Sequence, residues 1–75
     1  MNVIKREFPL KSAIERQDLD ALSKACEKAD IRYCPSDISL YVGVNQSVGK
    51  AIADGYFKAV QKFLKRKGLY YTWTS

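Results

Sequence analysis

The chain has 75 residues, of which 47% are hydrophobic and 28% charged, with a formal net charge of +5, two cysteines and no histidine. This length accommodates a single domain, residues 1–75, and the apolar fraction is sufficient for a core, which argues against a disordered chain. Because imidazole is missing, a Ser-His-Asp triad, a Cys-His pair and a mixed Cys/His zinc site are all excluded.

The pattern of the N-terminal residues bears on localisation and on secondary structure. It indicates a cytoplasmic protein and predicts a short strand at its start. Charged residues at positions 5–7 interrupt any apolar core of a signal peptide, and no run approaches the roughly 18 apolar residues of a membrane span. Residues 3–8 are interpreted as a β-strand, although their alternation of polar and apolar residues is poor. We therefore expect a cytoplasmic chain, without membrane association, in which Cys26 and Cys34 are reduced thiols.

The pattern of residues 13–29 predicts the first helix. Ser12 and Glu15 have the spacing of a capping box, in which each side chain meets the other residue's backbone N–H. The following apolar residues share one side of the helical wheel: Ile14, Ala21, Leu22, Ala25, Cys26 and Ala29. Asp18 lies on the same side, and we expect it to be either a partner for a neighbouring base or an acid on the helix surface, and not half of a catalytic dyad.

Two β-rich runs follow the first helix, at residues 31–33 and 38–42. Residues 34–37 between them read Cys-Pro-Ser-Asp, which places proline at the second position of a type I turn. In the second run, Ile38, Leu40 and Val42 are predicted to share one face of the strand.

The second helix is the clearest element in the sequence. Asn45 or Ser47 can cap its start, and Gly68 is placed to end it in the left-handed conformation. One half of its wheel is apolar and comprises Val48, Ile52, Ala53, Tyr56, Phe57, Ala59, Val60, Phe63 and Leu64. Four of these residues are expected at the heart of the core: Phe57, Val60, Phe63 and Leu64.

A last strand is predicted over residues 69–74, which are rich in aromatic and β-branched side chains. The predicted order is β-α-β-β-α-β, an α+β fold of the ferredoxin-like split βαβ type. Two helices would cover one face of a three- to four-stranded antiparallel sheet, and the other face would be open. The last strand has few charges, so an uncovered edge there would favour a homodimer.

No pattern in the chain predicts an enzyme, a cofactor or a metal site. Residues 43–51 run from a strand into a helix as a P-loop does, but five residues separate the two glycines instead of four, and Ala51 replaces the Ser or Thr that would hold magnesium. Cys34 has no imidazole to stabilise its thiolate. The acidic residues lack the density of a calcium loop. We therefore expect a non-enzymatic chain without cofactor or metal.

Charge is distributed unevenly along the chain. Residues 1–44 carry seven basic and seven acidic residues, whereas residues 45–75 carry six basic residues and one acidic residue, Asp54. The six basic residues are Lys50, Lys58, Lys62, Lys65, Arg66 and Lys67. A solvent-facing helix usually mixes signs and gains i,i+4 pairs, so this excess favours a functional basic surface. The alternative is an ordinary solvated helix whose cations suit its C-terminus.

Tyr41 and Tyr70 are further candidates for partner binding, because aromatic side chains on an open sheet face stack on bases in RNA-recognition modules. The run ISLYVGV lacks the consensus of that motif, and the alternative is that these rings pack in the core or at a sheet edge. The sequence thus predicts a small module that contacts nucleic-acid phosphates through its second helix. The alternative is a protein-interaction module, an inhibitor or regulator of the phage or mobile-element type, that docks on an acidic partner or through an exposed edge strand.

Overall fold

The computed structural model describes residues 2–71. The elements follow in the order β1 (Val3–Pro9), α1 (Arg16–Ala25), β2 (Ala29–Cys34), β3 (Ser39–Asn45), a short 3-10 helix (Gln46–Val48) and α2 (Lys50–Arg66). Over the described residues the strands form one three-stranded antiparallel sheet with the order β1-β3-β2. The predicted α+β class and the N-terminal strand are therefore confirmed.

The central strand β3 carries the middle of the core. Leu40, Val42 and Val44 have no exposed surface, because they face the helices and are flanked by a strand on either side. In register with Leu40 lie Phe8 on β1 and Tyr33 on β2. The alternate residues of the three strands point to the opposite face, which no helix of the described chain covers.

The first helix is shorter than predicted, and the prediction of a capping box at its start is wrong. Glu15 is the N-cap residue, its backbone is extended and its side chain makes no capping hydrogen bond. The Glu15 carboxylate instead accepts a 3.0 Å hydrogen bond from Gln17 Nε2. Ser12 lies too far before the helix to cap it. The helix ends at Ala25 because Ala29, predicted to be helical, pairs with Val44 in the sheet.

The start of the next strand and the last strand also differ from prediction. Ile38 belongs to the turn before β3, with φ of 51° and a side chain that is 41% exposed, so it does not share the buried face of Leu40 and Val42. Tyr70 forms a single antiparallel bridge with Leu10. The other residues of the predicted last strand include 72–74, which lie outside the described residues, so three strands are described.

The end of α2 is built as predicted. Gly68 has φ of 72°, and its N–H donates to Lys65 O at 3.1 Å while Leu69 N donates to Leu64 O at 2.8 Å. This pair of bonds is the Schellman motif. The start differs: the Asn45 side chain accepts a 2.9 Å bond from Ser47 N and caps the 3-10 helix, so neither Asn45 nor Ser47 caps α2.

The buried side of α2 is narrower than the apolar half of its wheel. Ala53, Phe57, Val60 and Leu64 are buried, as predicted for three of the four core residues. Phe63 is only half-buried, and Ile52 and Ala59 are exposed. The reason is geometric: a three-stranded sheet covers one strip of the helix, and side chains at the border of the apolar half extend beyond it.

Truncation of Phe57 should therefore cost more stability than truncation of Phe63. Phe57 packs against Phe8 with ring centroids 6.4 Å apart, so Phe57→Ala should reduce the free energy of unfolding by about 3–5 kcal/mol. Phe63→Ala should cost about 1–2 kcal/mol, because part of its ring is already in water. Urea denaturation of both variants measures this, and an equal or reversed ranking would contradict the packing of α2.

Alanine substitutions at Gly55, within α2, and at Gly68, just after its end, should change the stability of the chain in opposite directions. Gly55 lies mid-helix with nothing within 4 Å of an added Cβ, so Gly55→Ala should stabilise the chain by about 0.5–1 kcal/mol. Gly68→Ala should destabilise it by about 1 kcal/mol or more, because Gly68 requires a positive φ. Melting temperatures of the two variants, compared with the wild type, should shift in opposite directions.

Candidate nucleic-acid interface

The solvent side of α2 carries four cations, which we call the basic face: Lys58, Lys62, Lys65 and Arg66. Their spacings of three and four residues put them on successive turns of one helix face. All four side chains are exposed, because the opposite side of the helix supplies its buried residues. The row from Lys58 to Arg66 is about 12 Å long at the usual helical rise.

The basic face is not neutralised within the described part of the chain. Residues 2–71 contain two ion pairs, Arg32 with Asp30 and Lys67 with Asp18. Neither pair involves the basic face, and Asp54 on the same helix forms no ion pair with another described residue. Four like charges on adjacent turns repel one another in the free protein. A bound polyanion would relieve that repulsion.

Two cations of the basic face lie over half-buried aromatic rings. Lys65 Nζ is 5.4 Å from the centroid of the Tyr70 ring, and Arg66 Cζ is 5.7 Å from that of Phe63. Such contacts are worth about 0.5–1 kcal/mol at exposed sites. They orient the side chains at the end of α2 without removing their charge, so Tyr70 is brought next to the basic face as a supporting residue.

Lys67 and Lys50 differ from the cations of the basic face. Lys67 Nζ lies 5.7 Å from the centroid of the Phe63 ring, which Arg66 also covers, but Lys67 is engaged in an ion pair. Lys67 Nζ lies 3.5 Å from Asp18 Oδ1, and the Asp18 side chain is 15% exposed, so this pair joins the end of α2 to α1. Of the two roles expected for Asp18, the structure shows the partner of a base, and that base is Lys67. Lys50 is the first residue of α2 and lies about 12 Å along the helix axis from Lys58. The structure therefore does not bring all six predicted cations together.

Tyr41 lies on the opposite side of the sheet from α2. Its neighbours in register are Glu7 on β1 and Arg32 on β2, on the face that the helices leave open. The Tyr41 hydroxyl donates a 3.0 Å hydrogen bond to Asp37 Oδ2. This bond, with the nearby negative charge, raises the pKa of Tyr41 to about 12. Tyr41 and the basic face therefore cannot form one continuous site.

The open sheet face carries a shallow depression that sequence reasoning missed. It is lined by Val3, Lys5, Asp30, Arg32, Tyr41 and Gly43, among others. Gly43 is one of the lining residues, and a Cβ there would lie 3.3 Å from Val3 Cγ1. Positive and negative side chains alternate around it, so it does not suit a polyanion. In the sequence, the opposite charges at positions 30 and 32 are the feature that could have indicated this surface.

The described residues contain no group of three or more His, Cys, Asp or Glu side chains that could hold a metal ion. No helix among them is long and apolar enough to cross a membrane. Cys26 is buried in the core, where burial raises the pKa of its thiol. Cys34 Sγ lies 3.2 Å from Ser36 Oγ on the open side of the sheet.

Comparison with models of known protein families, with curated proteins and with solved structures finds no significant match. The functional interpretation therefore follows from the residues themselves. The basic face is the part of the described chain where charge of one sign accumulates without compensation.

Tyr41 should ionise later than an ordinary tyrosine. Its neutral hydroxyl donates to the Asp37 carboxylate, so the bond stabilises the fold below pH about 10, the usual tyrosine pKa. That contribution is lost as the pH rises through the raised pKa of about 12. The measurement is an absorbance titration of the wild type and of Asp37→Asn, with Tyr41→Phe to assign the transition. Asp37→Asn should lower the pKa of Tyr41, whereas the control Asp30→Asn should leave it unchanged; equal titrations would contradict the hydrogen bond.

Proposed function

We propose that this chain is a non-enzymatic module that binds nucleic acid by contacting phosphates with its basic face. The observation that carries the proposal is the row of four exposed cations on α2 with no carboxylate partner among the described residues. The attraction of such a row for a polyanion comes mainly from release of the counterions condensed on the nucleic acid.

The shape of α2 supports contact with a phosphate backbone. Duplex DNA carries one negative charge per about 1.7 Å of its axis, so a row about 12 Å long can meet several phosphates. Beside the row, Ala51, Gly55 and Ala59 are exposed and have little or no side chain. They leave room for a backbone to approach the helix. Phosphate contacts carry no base information, so binding should be nearly independent of sequence.

We further propose the ferredoxin-like split βαβ as the complete fold around this helix. Support comes from the order β1-β3-β2 and from the segment that follows α2. Lys11 N donates to Leu69 O at 2.9 Å, and Tyr71 N donates to Pro9 O at 3.3 Å, antiparallel to the end of β1. The same segment carries Tyr70, whose ring centroid lies 5.4 Å from Lys65 Nζ.

Binding should weaken steeply with salt. Four phosphate contacts on duplex DNA predict that log K falls with log salt at a slope of about −3 to −4. Lys58→Gln, Lys62→Gln and Lys65→Gln together should reduce the slope to about −1 and weaken binding at low salt about tenfold or more. Glutamine keeps the helix propensity of lysine, so the fold should persist. Fluorescence anisotropy with labelled duplex and single-stranded oligonucleotides measures both quantities.

The matched control removes three charges elsewhere. Arg16, Lys24 and Lys28 are exposed and lie on or next to α1, so their replacement by glutamine lowers the net charge equally without touching the basic face. This control should retain the wild-type slope. Equal losses of binding affinity in the two triple variants would mean that net charge alone causes the effect. A wild type that does not bind at micromolar concentration would overturn the proposal. Retention of an acidic protein by the wild type alone would then favour the protein-interaction function.

A further inference from the structure

Among residues 2–71, the strand β2 has one edge without a partner strand. It pairs with β3 on one side only, since the sheet order is β1-β3-β2. By contrast, the outer edge of β1 is engaged at its end by Leu69 and Tyr71. Strand edges attract further strands, and natural proteins usually cover or charge them. The residues of β2 show which partner this edge fits.

The backbone of β2 alternates between bonding β3 and facing outwards. Leu10 N donates to Ile38 O, and Gln46 N donates to Asn2 O, so even-numbered residues of β3 bond to β1. Its odd-numbered residues therefore bond to the even-numbered residues of β2. The N–H and C=O groups of Ile31 and Tyr33 consequently point away from the sheet. Ala29 agrees with this alternation, because its N–H donates to Cys26 O instead of to β3.

We propose that this edge joins two copies of the chain through antiparallel pairing of β2 with β2, centred on Ile31. In this register Ile31 faces Ile31 of the second copy, and the two exchange both of their backbone hydrogen bonds. The N–H of Tyr33 meets the free carbonyl of Ala29 in the other copy, which gives two further bonds by symmetry. The two three-stranded sheets become one continuous sheet.

The charges on β2 are self-complementary in this register. Asp30 and Arg32 both lie on the open sheet face, where Arg32 Nε is 3.0 Å from Asp30 Oδ2 and both side chains are mostly exposed. Around the two-fold axis, Asp30 of each copy stands opposite Arg32 of the other. Opposite charges at directly facing positions stabilise a strand pair, so the two local ion pairs merge into a ring of four alternating charges.

The same charges disfavour the neighbouring registers. A shift of the pairing by two residues in one direction places Asp30 opposite Asp30, and in the other direction Arg32 opposite Arg32. Like charges directly opposite one another destabilise a strand pair. A shift by one residue would pair outward-facing groups with groups already bonded to β3. The edge therefore specifies one pairing out of those that its backbone would allow.

Apolar contacts would support the pairing on the helix side of the sheet. Ile31 and Tyr33 are half-buried and pack against the core of their own chain. In the paired sheet the exposed part of Ile31 meets its symmetry copy, and Tyr33 meets Ala29. The basic face lies on α2, which contacts β1, whereas α1 contacts β2. The pairing thus leaves the basic face free, and the two proposals can fail separately.

The test is a charge exchange between two variants. Asp30→Arg places Arg at both positions 30 and 32, and Arg32→Asp places Asp at both positions, so each variant should repel itself in the proposed register. Each should dimerise about tenfold or more weakly than the wild type. An equimolar mixture restores opposite charges at every facing position and should form a heterodimer. The double variant D30R/R32D should dimerise like the wild type.

Sedimentation velocity at low salt, without nucleic acid, distinguishes the 8.5 kDa chain from a particle of twice that mass. Far-UV circular dichroism verifies that each variant is folded, as expected because both side chains are exposed. Self-repelling variants that associate in the mixture would support the pairing. A wild type that remains monomeric up to about 1 mM would overturn it. Single variants that dimerise as tightly as the wild type, or a mixture that stays monomeric, would also overturn it.

Discussion

The structure depends on the burial of one face of β3. Leu40, Val42 and Val44 are completely buried because a strand flanks β3 on each side and the helices cover one face. A sheet of three strands can cover only one side of α2, so the opposite side of that helix is left to water. The two surfaces for which we propose roles follow from this constraint: the outer side of α2 and the edge of β2 that no strand of the described chain pairs with.

The end of α2 shows how packing supports an exposed charged surface. Leu64 is fully buried, and its carbonyl accepts hydrogen bonds from Leu69 N and Tyr70 N. The chain is thereby turned back along β1, which places the Tyr70 ring under Lys65. Lys67 meanwhile pairs with Asp18 on α1. The cations near the helix end are thus held at defined positions, and those of the basic face keep their charge available.

The local features of the chain were predictable because their causes lie within a few residues of sequence. Helical periodicity identified α2 and its division into an apolar and a basic side. The left-handed Gly68 followed from its position after the last apolar residue, since glycine adopts a positive φ at little cost. The candidate cations of α2 were found in the same way, because residues three and four apart in a helix share a face irrespective of the rest of the fold.

What the sequence by itself determined is therefore the class of fold, the amphipathic second helix and the excess of positive charge on it. Only the tertiary structure decided which of these residues lie together, because that depends on pairings between distant segments. Ala29 does not belong to the first helix because it pairs with Val44 in the sheet. Asp18 pairs with Lys67 and not with Lys65 or Arg66. The register of β3 places Tyr41 on the sheet face opposite α2. The order of the described strands depends on contacts between distant segments, and it leaves one edge of β2 without a partner among residues 2–71, which no local pattern could reveal.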